Sequence, residues 1–299
     1  MPRLACAEDG RLPQANSPKG TITTSAHTVQ VRDCVFGASD LVVMAGPCAV
    51  ESRAQVFAVA QIVAKHGARV LRGGGFKVRT APSTFQGLGK EGWALLREAA
   101  NAFGLLTVSE IVSEELIEPA RPYVDLAQIG SRNMQNVPLL RALGRAGMPV
   151  MLKRGFGCTI DEWLHAAEYV LQEGNESVVL CERGIRTFET ATRFTLDVAA
   201  VPIAKARTGR PVVVDPSHPA GAREWVEPLA LAGIAAGADG LLIETHPNPT
   251  AALSDGPQAV VLNEFGALMT RVRRVAEAMD RGSSVSVRPA GSLRREACR

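Results

Sequence analysis

The sequence predicts one α/β domain, a (β/α)8 or TIM barrel preceded by a short N-terminal extension. Length is the first observation, because 299 residues suit one such barrel as well as two average domains. The second is a regular alternation of short apolar runs, bounded by Gly or Pro, with longer segments of helical spacing. The third is that polar residues of the types used in catalysis and ligand binding follow the ends of successive runs, which is where barrel active sites lie.

Eight apolar runs carry the strand prediction, and their β-branched or leucine-rich composition suits strands buried on both faces. They occupy residues 41–47, 68–73, 105–109, 125–130, 149–154, 178–182, 211–215 and 240–245. An open doubly wound sheet is the alternative. It needs a glycine-rich phosphate loop after the first strand, and the segment AGPCAVES is not one.

The segments between the runs have the spacing of amphipathic helices. In TIDEWLHAAEYVLQE, Thr159 is the expected N-cap and Glu162 its capping-box partner. Further helices are expected in REWVEPLALAGIAAG and from about residue 258 to 279. Together these features predict a catalytic barrel over residues 39–280.

The two ends differ from the barrel in composition. Residues 1–38 are rich in Thr, Ser, Pro and Gly, and we interpret them as an N-terminal extension with one short strand at HTVQVRD. Residues 281–299 are expected to form a polar, basic tail.

Composition excludes several function classes. A net charge of +3 and 5% aromatic residues argue against nucleic acid as a partner, and the charge also argues against a membrane surface. The start of the chain lacks the apolar core of a signal peptide, and no apolar stretch has the length of a membrane span. The six cysteines are widely scattered, which favours reduced thiols and a cytoplasmic location.

Four candidate metal ligands each follow an apolar run: Cys48, His218, Glu244 and Asp255. Each alone has an ordinary structural explanation, such as a buried small thiol or a solvated carboxylate. Their joint placement at strand ends predicts convergence on one divalent cation. Thiolate, imidazole and carboxylates together suit Mn, Fe, Co or Zn better than Ca or Mg. His246 is a competing ligand, although strand alternation does not by itself place it facing the metal.

Basic residues follow the second, fourth, fifth and sixth runs. They are Arg72, Lys77, Arg79, Arg132, Lys153, Arg154, Arg183 and Arg186. Any one of them is more often a solvated surface charge. Several on one rim repel each other unless an anion offsets them, and Arg is suited to bidentate binding of phosphate or carboxylate. The pattern indicates a phosphorylated, anionic substrate beside the metal.

These segments together resemble the 3-deoxy-D-arabino-heptulosonate 7-phosphate (DAHP) synthases, specifically the type I beta group, over about residues 38–270. The resemblance lies in AGPCAVES, RGGGFKVRTAPSTFQGLG, QIGSRNMQN, LKRGFGCTIDEW, LCERGIRTFETATR, VDPSH and IETHPNPTAALSDGPQ. It implies a metal-dependent TIM barrel that joins phosphoenolpyruvate to erythrose 4-phosphate, releases phosphate and opens the shikimate pathway.

The resemblance also implies residue roles. Cys48, His218, Glu244 and Asp255 match the metal ligands, and Cys48, His218 and Lys153 are the residues expected to take part in catalysis. Arg72, Lys77, Arg132, Lys153 and Arg183 match positions that hold phosphoenolpyruvate, and Arg79 and Thr80 match the segment that holds the sugar phosphate. Ser131 is also expected among the substrate-binding residues. A homodimer or homotetramer is expected, with a chorismate mutase as a possible partner and no inhibition by free aromatic amino acids.

Some residues depart from the pattern of that group. Val78 stands in place of the usual Pro and Ala81 in place of Ser, while Gly75 and Ser131 stand where Ala is common. The related 3-deoxy-octulosonate 8-phosphate synthases usually carry a different sequence after Lys77, so FKVRT favours the four-carbon aldehyde. Two alternatives stay open: a condensing enzyme of secondary metabolism that uses another phosphosugar aldehyde, and a non-catalytic phosphometabolite-binding barrel.

Overall fold

The structure, a computed structural model, describes residues 26–78, 81 and 83–282. Its strands are β1 (Val29–Val31), β2 (Cys34–Phe36), β3 (Val42–Gly46), β4 (Val70–Arg72), β5 (Leu106–Glu110), β6 (Leu126–Ile129), β7 (Val150–Lys153), β8 (Val178–Glu182), β9 (Val212–Val214), β10 (Gly240–His246) and β11 (Val260–Val261). Each of the eight predicted runs is confirmed as one of the strands β3 to β10.

Helices separate the barrel strands. They are α1 (Arg53–Lys65), α2 (Lys90–Phe103), α3 (Ile117–Ala120), α4 (Val137–Ala146), α5 (Ile160–Leu171), α6 (Ala200–Thr208), α7 (Ser217–Ala220), α8 (Val226–Ala235) and α9 (Leu262–Ala278). The predicted capping box of α5 is confirmed, since the Thr159 side chain accepts from the backbone of Glu162 and the Glu162 side chain accepts from the backbone of Thr159. Within the described residues, no helix has both the length and the apolar composition that a bilayer crossing requires.

The eight strands β3 to β10 are parallel and close into a barrel. Each pairs with the next in chain order, and β10 pairs with both β9 and β3. The closing register places Glu244 of β10 opposite Gly46 of β3, and Leu241 opposite Val214 of β9. The (β/α)8 prediction is therefore confirmed. Since all eight strands run the same way, their carboxyl ends meet at one mouth of the barrel.

The opposite mouth is covered by an antiparallel hairpin of β1 and β2. Phe36 and Val31 are buried and form one apolar cluster with the first residues of several barrel strands, among them Val42 and Val70. Arg32 at the turn pairs with the buried Asp125 at 2.5 Å. The predicted strand at HTVQVRD is confirmed as β1, but its partner β2 was not predicted. The hairpin is therefore part of the apolar core of the barrel. The domain boundaries at residues 38 and 280 stay a prediction.

Candidate active site

The four predicted metal ligands lie together at the carboxyl end of the barrel. Cys48 is in the loop after β3, His218 is in α7 after β9, Glu244 is in β10, and Asp255 is in the segment between β10 and β11. One ligand atom from each lies within 4.8 Å of those from the other three. Residues far apart in the chain converge because neighbouring parallel strands deliver them to the same rim.

This arrangement fits a shared cation. Protein ligands lie about 2.0–2.3 Å from a bound first-row ion, so opposite ligands are separated by roughly 4 to 4.6 Å, close to the observed span. The set also has the mixed sulfur, nitrogen and oxygen chemistry that borderline ions prefer. The Nδ1 atom of His218 lies 2.6 Å from the Oδ2 atom of Asp215. A proton held on Nδ1 by that carboxylate leaves the Nε2 lone pair directed at the other ligands, the usual outer arrangement of a metal-binding histidine.

The ligands carry unusual protonation equilibria. Burial and the neighbouring Glu244 carboxylate raise the pKa of the Cys48 thiol to about 12, against a smaller lowering by Lys77. The thiol donates to Asp255 Oδ2 at 2.9 Å and accepts from Lys77 Nζ at 2.9 Å. Burial works to raise the pKa of Asp255, but His218 and Lys77 outweigh it and hold that pKa well below its ordinary value. The site therefore holds one proton on sulfur where a metal would require thiolate.

Glu244 is held more firmly than any other ligand. It is fully buried, and its Oε1 atom accepts from Arg72 at 2.5 Å, while its Oε2 atom accepts from the amide of Gln258. Burial alone raises the pKa of Glu244, but His218 and Arg72 lower it below its ordinary value. The pKa of His218 is also below its ordinary value, in this case because of burial. Both groups therefore favour the unprotonated forms that bind a metal.

A cavity of about 260 Å³ opens beside the four ligands. Its basic lining residues are Arg72, Lys77, Arg132, Lys153, Arg183 and Arg193. Ser131 also lines it, and His218 and Asp255 are shared between the cavity and the ligand cluster. A bound molecule can therefore contact the cations and the metal ligands together.

Arg183 is the strongest indication that this cavity binds an anion. It is 3% exposed, and among the described residues no carboxylate lies within ion-pair distance of it. Its guanidinium lies 4.8 Å from the ring centre of Phe156 and 4.3 Å from that of Phe194, and these two rings stack on each other. Burial lowers the pKa of Arg183. Asp215 and Glu182 stabilise its charge only from a distance, so a bound phosphate or carboxylate would be a favourable direct partner.

Lys153 is connected to the ligand cluster through a residue that sequence reasoning missed. Its Nζ atom donates to the Oδ2 atom of Asp215 at 2.6 Å, the same oxygen that contacts His218. Burial tends to raise the pKa of Asp215, but His218 and Lys153 hold it well below the ordinary value. The carboxylate therefore couples the lysine of the cavity to His218, the predicted metal ligand. The signal was present in VDPSH, because a metal-ligand histidine commonly has a carboxylate partner.

The structure brings most of the predicted site residues together. Cys48, His218, Glu244 and Asp255 come together, and the predicted binding residues Arg72, Lys77, Ser131, Arg132, Lys153 and Arg183 surround the adjoining cavity. Arg79 and Thr80 lie outside the described residues.

Three residues that the sequence had placed near the site do not line the cavity. The guanidinium of Arg186 lies 5.4 Å from the ring centre of Phe156, outside the lining. Arg154 is buried against Glu182 and Asp197. His246 contacts Glu51 instead of the metal ligands.

Other residues of the site lie within the segments that carry the family resemblance but were not singled out from the sequence. Arg193 donates to both Asp255 and Gln258, at 3.0 and 2.9 Å. Phe156 lines the cavity in the loop after β7. Their roles depend on how distant loops pack, which one sequence does not reveal.

Fold and site together define a class: a metal-using (β/α)8 enzyme that acts on phosphorylated or carboxylated substrates. The chain belongs to the DAHP synthetase I family, whose sequence model matches residues 21–281.

Known relatives cover most of the chain. It is 45% identical over 251 residues to the phospho-2-dehydro-3-deoxyheptonate aldolase of Thermotoga maritima, covering 84% of this chain and 74% of the relative. It is 31% identical over 259 residues to the 2-dehydro-3-deoxyphosphooctonate aldolase of Geobacter sulfurreducens, covering 81% and 94%.

Two solved structures share the fold. The crystal structure of the T. maritima phospho-2-dehydro-3-deoxyheptonate aldolase (DAHP synthase) matches with a TM-score of 0.84 at 44% identity, covering 87% of this chain and 76% of that one. The truncated form of the 3-deoxy-D-arabino-heptulosonate 7-phosphate synthase from T. maritima matches with a TM-score of 0.82 at 41% identity, covering 88% and 97%.

Proposed function

We propose that this protein is a 3-deoxy-7-phosphoheptulonate synthase, a transferase that condenses phosphoenolpyruvate with erythrose 4-phosphate. The products are 3-deoxy-D-arabino-heptulosonate 7-phosphate and phosphate, and one water is consumed. The observation that carries the proposal is the shared wall between the ligand cluster and the cationic cavity, at His218 and Asp255. Family membership and the 45% identical T. maritima relative support the same reaction.

Cys48, His218, Glu244 and Asp255 would hold the divalent ion, with Mn, Fe, Co and Zn as the candidates. When bound there, the ion supplies Lewis acidity toward the aldehyde oxygen. Asp215 keeps His218 in the tautomer that offers Nε2, and Arg72 and Gln258 fix both oxygens of Glu244. These contacts orient the ligands before the ion arrives, so little reorganisation accompanies binding.

Phosphoenolpyruvate would occupy the basic part of the cavity. Arg183 is the first candidate for its phosphate, because its planar guanidinium is buried against the stacked rings of Phe156 and Phe194 and faces the cavity. Arg132 lies over the ring of Phe156 from the neighbouring strand end, at 5.3 Å. Lys153 is suited to the carboxylate as a point charge. These residues would fix the donor with its C3 carbon directed toward the metal side of the cavity.

In the proposed reaction, C3 of phosphoenolpyruvate forms a bond to the aldehyde carbon and the aldehyde oxygen gains a proton. Water adds to C2, and the C2–O bond to phosphate then breaks with release of inorganic phosphate. Arg183 and Arg132 would stabilise the charge that develops on the departing phosphate. Lys153 Nζ, bound to Asp215, is placed to hold or move a proton at the donor.

The acceptor would lie nearer the outer part of the cavity, where Val78 and Ala81 belong to the lining. Arg79 and Thr80, between them in sequence, are proposed to hold the sugar phosphate. The side chains of Val78 and Ala81 offer no hydroxyl or amide donor to the acceptor, and this motivates a second candidate, a related enzyme that accepts another phosphosugar aldehyde.

Location and assembly are also proposals. The cysteines among the described residues, Cys34, Cys48, Cys158 and Cys181, are free thiols, which supports a reducing, cytoplasmic location. A homodimer or homotetramer, a chorismate mutase partner and insensitivity to free aromatic amino acids stay predictions. Gel filtration with and without a chorismate mutase, followed by an assay with added phenylalanine or tyrosine, tests all three.

The function is tested by phosphate release from phosphoenolpyruvate with a panel of aldehydes in the presence of each candidate metal. Erythrose 4-phosphate is expected to give the highest kcat/KM, above arabinose 5-phosphate. A higher value for another phosphosugar would favour the second candidate. Tight phosphoenolpyruvate binding without phosphate release under any condition would exclude an enzyme of this class.

A further inference from the structure

We propose that Glu51 and His246 act as a pair of positioning residues that hold the segment carrying Asp255 in place for metal binding. The proposal rests on the proposed metal centre but concerns two side chains outside its ligand set. Neither lies among the four ligand residues or in the cavity wall.

Asp255 differs from the other three ligands in how it is supported. Cys48, His218 and Glu244 lie on or directly after barrel strands that pair on both sides, whereas Asp255 lies in the irregular segment that joins β10 to β11. Its backbone adopts φ = +50°, a left-handed conformation that Asp adopts more readily than most residues but that is still less favourable than an ordinary one. Contacts from elsewhere in the fold would help to hold it there.

Glu51 and His246 supply that support at both ends of a short turn. The Oε1 atom of Glu51 accepts from the backbone amide of Leu253 at 2.8 Å, two residues before Asp255. The Oε2 atom of Glu51 lies 3.3 Å from Nε2 of His246. The Nδ1 atom of His246 accepts from the backbone amide of Asn248 at 3.1 Å. The segment 248–253 is thus fastened at its two ends by one connected pair of side chains.

The same contacts explain why His246 is not a metal ligand. Because Nδ1 accepts from an amide, the ring proton lies on Nε2 and is donated to Glu51. Both nitrogens are therefore occupied. His246 is 6% exposed and the Glu51 side chain is 12% exposed, so water competes little for these bonds. Because the pair is buried, its hydrogen bonds hold the segment 248–253 more effectively than those of an equivalent surface pair would.

Loss of the hydrogen bonds made by Glu51 and His246 should weaken metal binding without removing a ligand. Removal of an outer partner of a metal site typically weakens metal affinity by about 10-fold to 100-fold. We expect a Glu51→Ala change to fall in this range. Glu51→Gln keeps an acceptor for Leu253 but places a donor against His246, so its effect should be smaller.

The experiment measures cobalt affinity of the metal-stripped protein from the near-ultraviolet charge-transfer absorbance that a thiolate ligand gives to Co²⁺. Wild type, Glu51→Ala, Glu51→Gln and His246→Gln are compared, with thermal unfolding followed by circular dichroism in each. Glu98→Gln is the matched control, because it also removes a carboxylate charge but from an exposed pair with Arg53. The control should bind cobalt as wild type does.

A double-mutant cycle with Asp255→Asn separates a positioning role from a general structural one. If Glu51 acts through Asp255, then Glu51→Ala should change cobalt affinity less than about 2-fold in the Asp255→Asn background. An unchanged affinity in both Glu51 variants, or a full effect that persists without Asp255, would overturn the inference. Should Glu51→Ala fail to fold, the Glu51→Gln and His246→Gln variants decide by the same criterion. Failure of wild type itself to bind cobalt would instead contradict the proposed metal centre.

Discussion

The carboxylate of Asp215 offers the sharpest test of how the two halves of the site are connected. Replacing it by the isosteric Asn keeps the volume and an oxygen that can accept from the backbone amides of Ser217 and His218, as Asp215 does at 3.1 and 3.0 Å. It removes the negative charge that Lys153 contacts at 2.6 Å. The change is therefore electrostatic and barely steric.

The magnitude follows from burial. The side chain of Asp215 is 0% exposed and that of Lys153 is 4% exposed. Breaking a buried pair by removing one partner leaves an uncompensated charge and costs about 3–5 kcal/mol. We expect the free energy of unfolding of the metal-free protein to fall by this amount at neutral pH.

The assay is urea unfolding followed by far-UV circular dichroism. Asp161→Asn serves as the control, because Asp161 pairs with Arg207 while both side chains are at least one-third exposed. Such a surface pair contributes about 0–1 kcal/mol. If Asp215→Asn and Asp161→Asn lowered the stability by similar amounts, the idea of a buried charge link between the two halves of the site would have to be abandoned.

Three further predictions concern the site. Metal binding should release about one proton, since the Cys48 thiol is protonated and His218 is neutral. Calorimetry in buffers of different ionisation enthalpy measures the number of protons released, and a value of zero would contradict the prediction. The pKa of Asp255 is lower in the folded than in the unfolded protein, so its ionised carboxylate stabilises the fold above about pH 4, and this effect is lost as the pH falls through the folded pKa. The free energy of unfolding of the metal-free protein should therefore fall less steeply with decreasing pH in Asp255→Asn than in wild type. Identical slopes would refute this. Arg183→Lys keeps the charge but loses the planar fork, so kcat/KM for phosphoenolpyruvate should drop about 10- to 100-fold. An unchanged kcat/KM would show that Arg183 neither binds this substrate nor stabilises its departing phosphate.

The barrel itself was predictable because its signal is local and repeated. Each strand is a short apolar run, and burial on both faces makes that run continuous in the sequence. The hairpin partner β2 was missed because three residues, Cys34–Phe36, carry too little pattern to detect. Its role depends on packing into the barrel mouth, which is a tertiary property.

The site was predictable where strand ends and family motifs coincide, as at Cys48, Lys153 and Glu244. The connections between its residues were not. Asp215 follows directly after β9, yet its contact with Lys153 joins residues 62 positions apart. Arg193 reaches Asp255 from a different loop. Such contacts depend on side-chain directions that a linear pattern leaves undetermined.

The proposed function depends most on one metal ion, bound by Cys48, that serves a reaction in the adjoining cationic cavity. The direct measurement is metal content together with phosphate release from phosphoenolpyruvate, made in parallel on wild type and Cys48→Ala. Wild type should retain one divalent ion per chain and release phosphate only when the aldehyde is added. Cys48→Ala should do neither, while unfolding at a temperature similar to that of metal-stripped wild type. Turnover at the wild-type rate by chelator-treated Cys48→Ala protein would contradict the account.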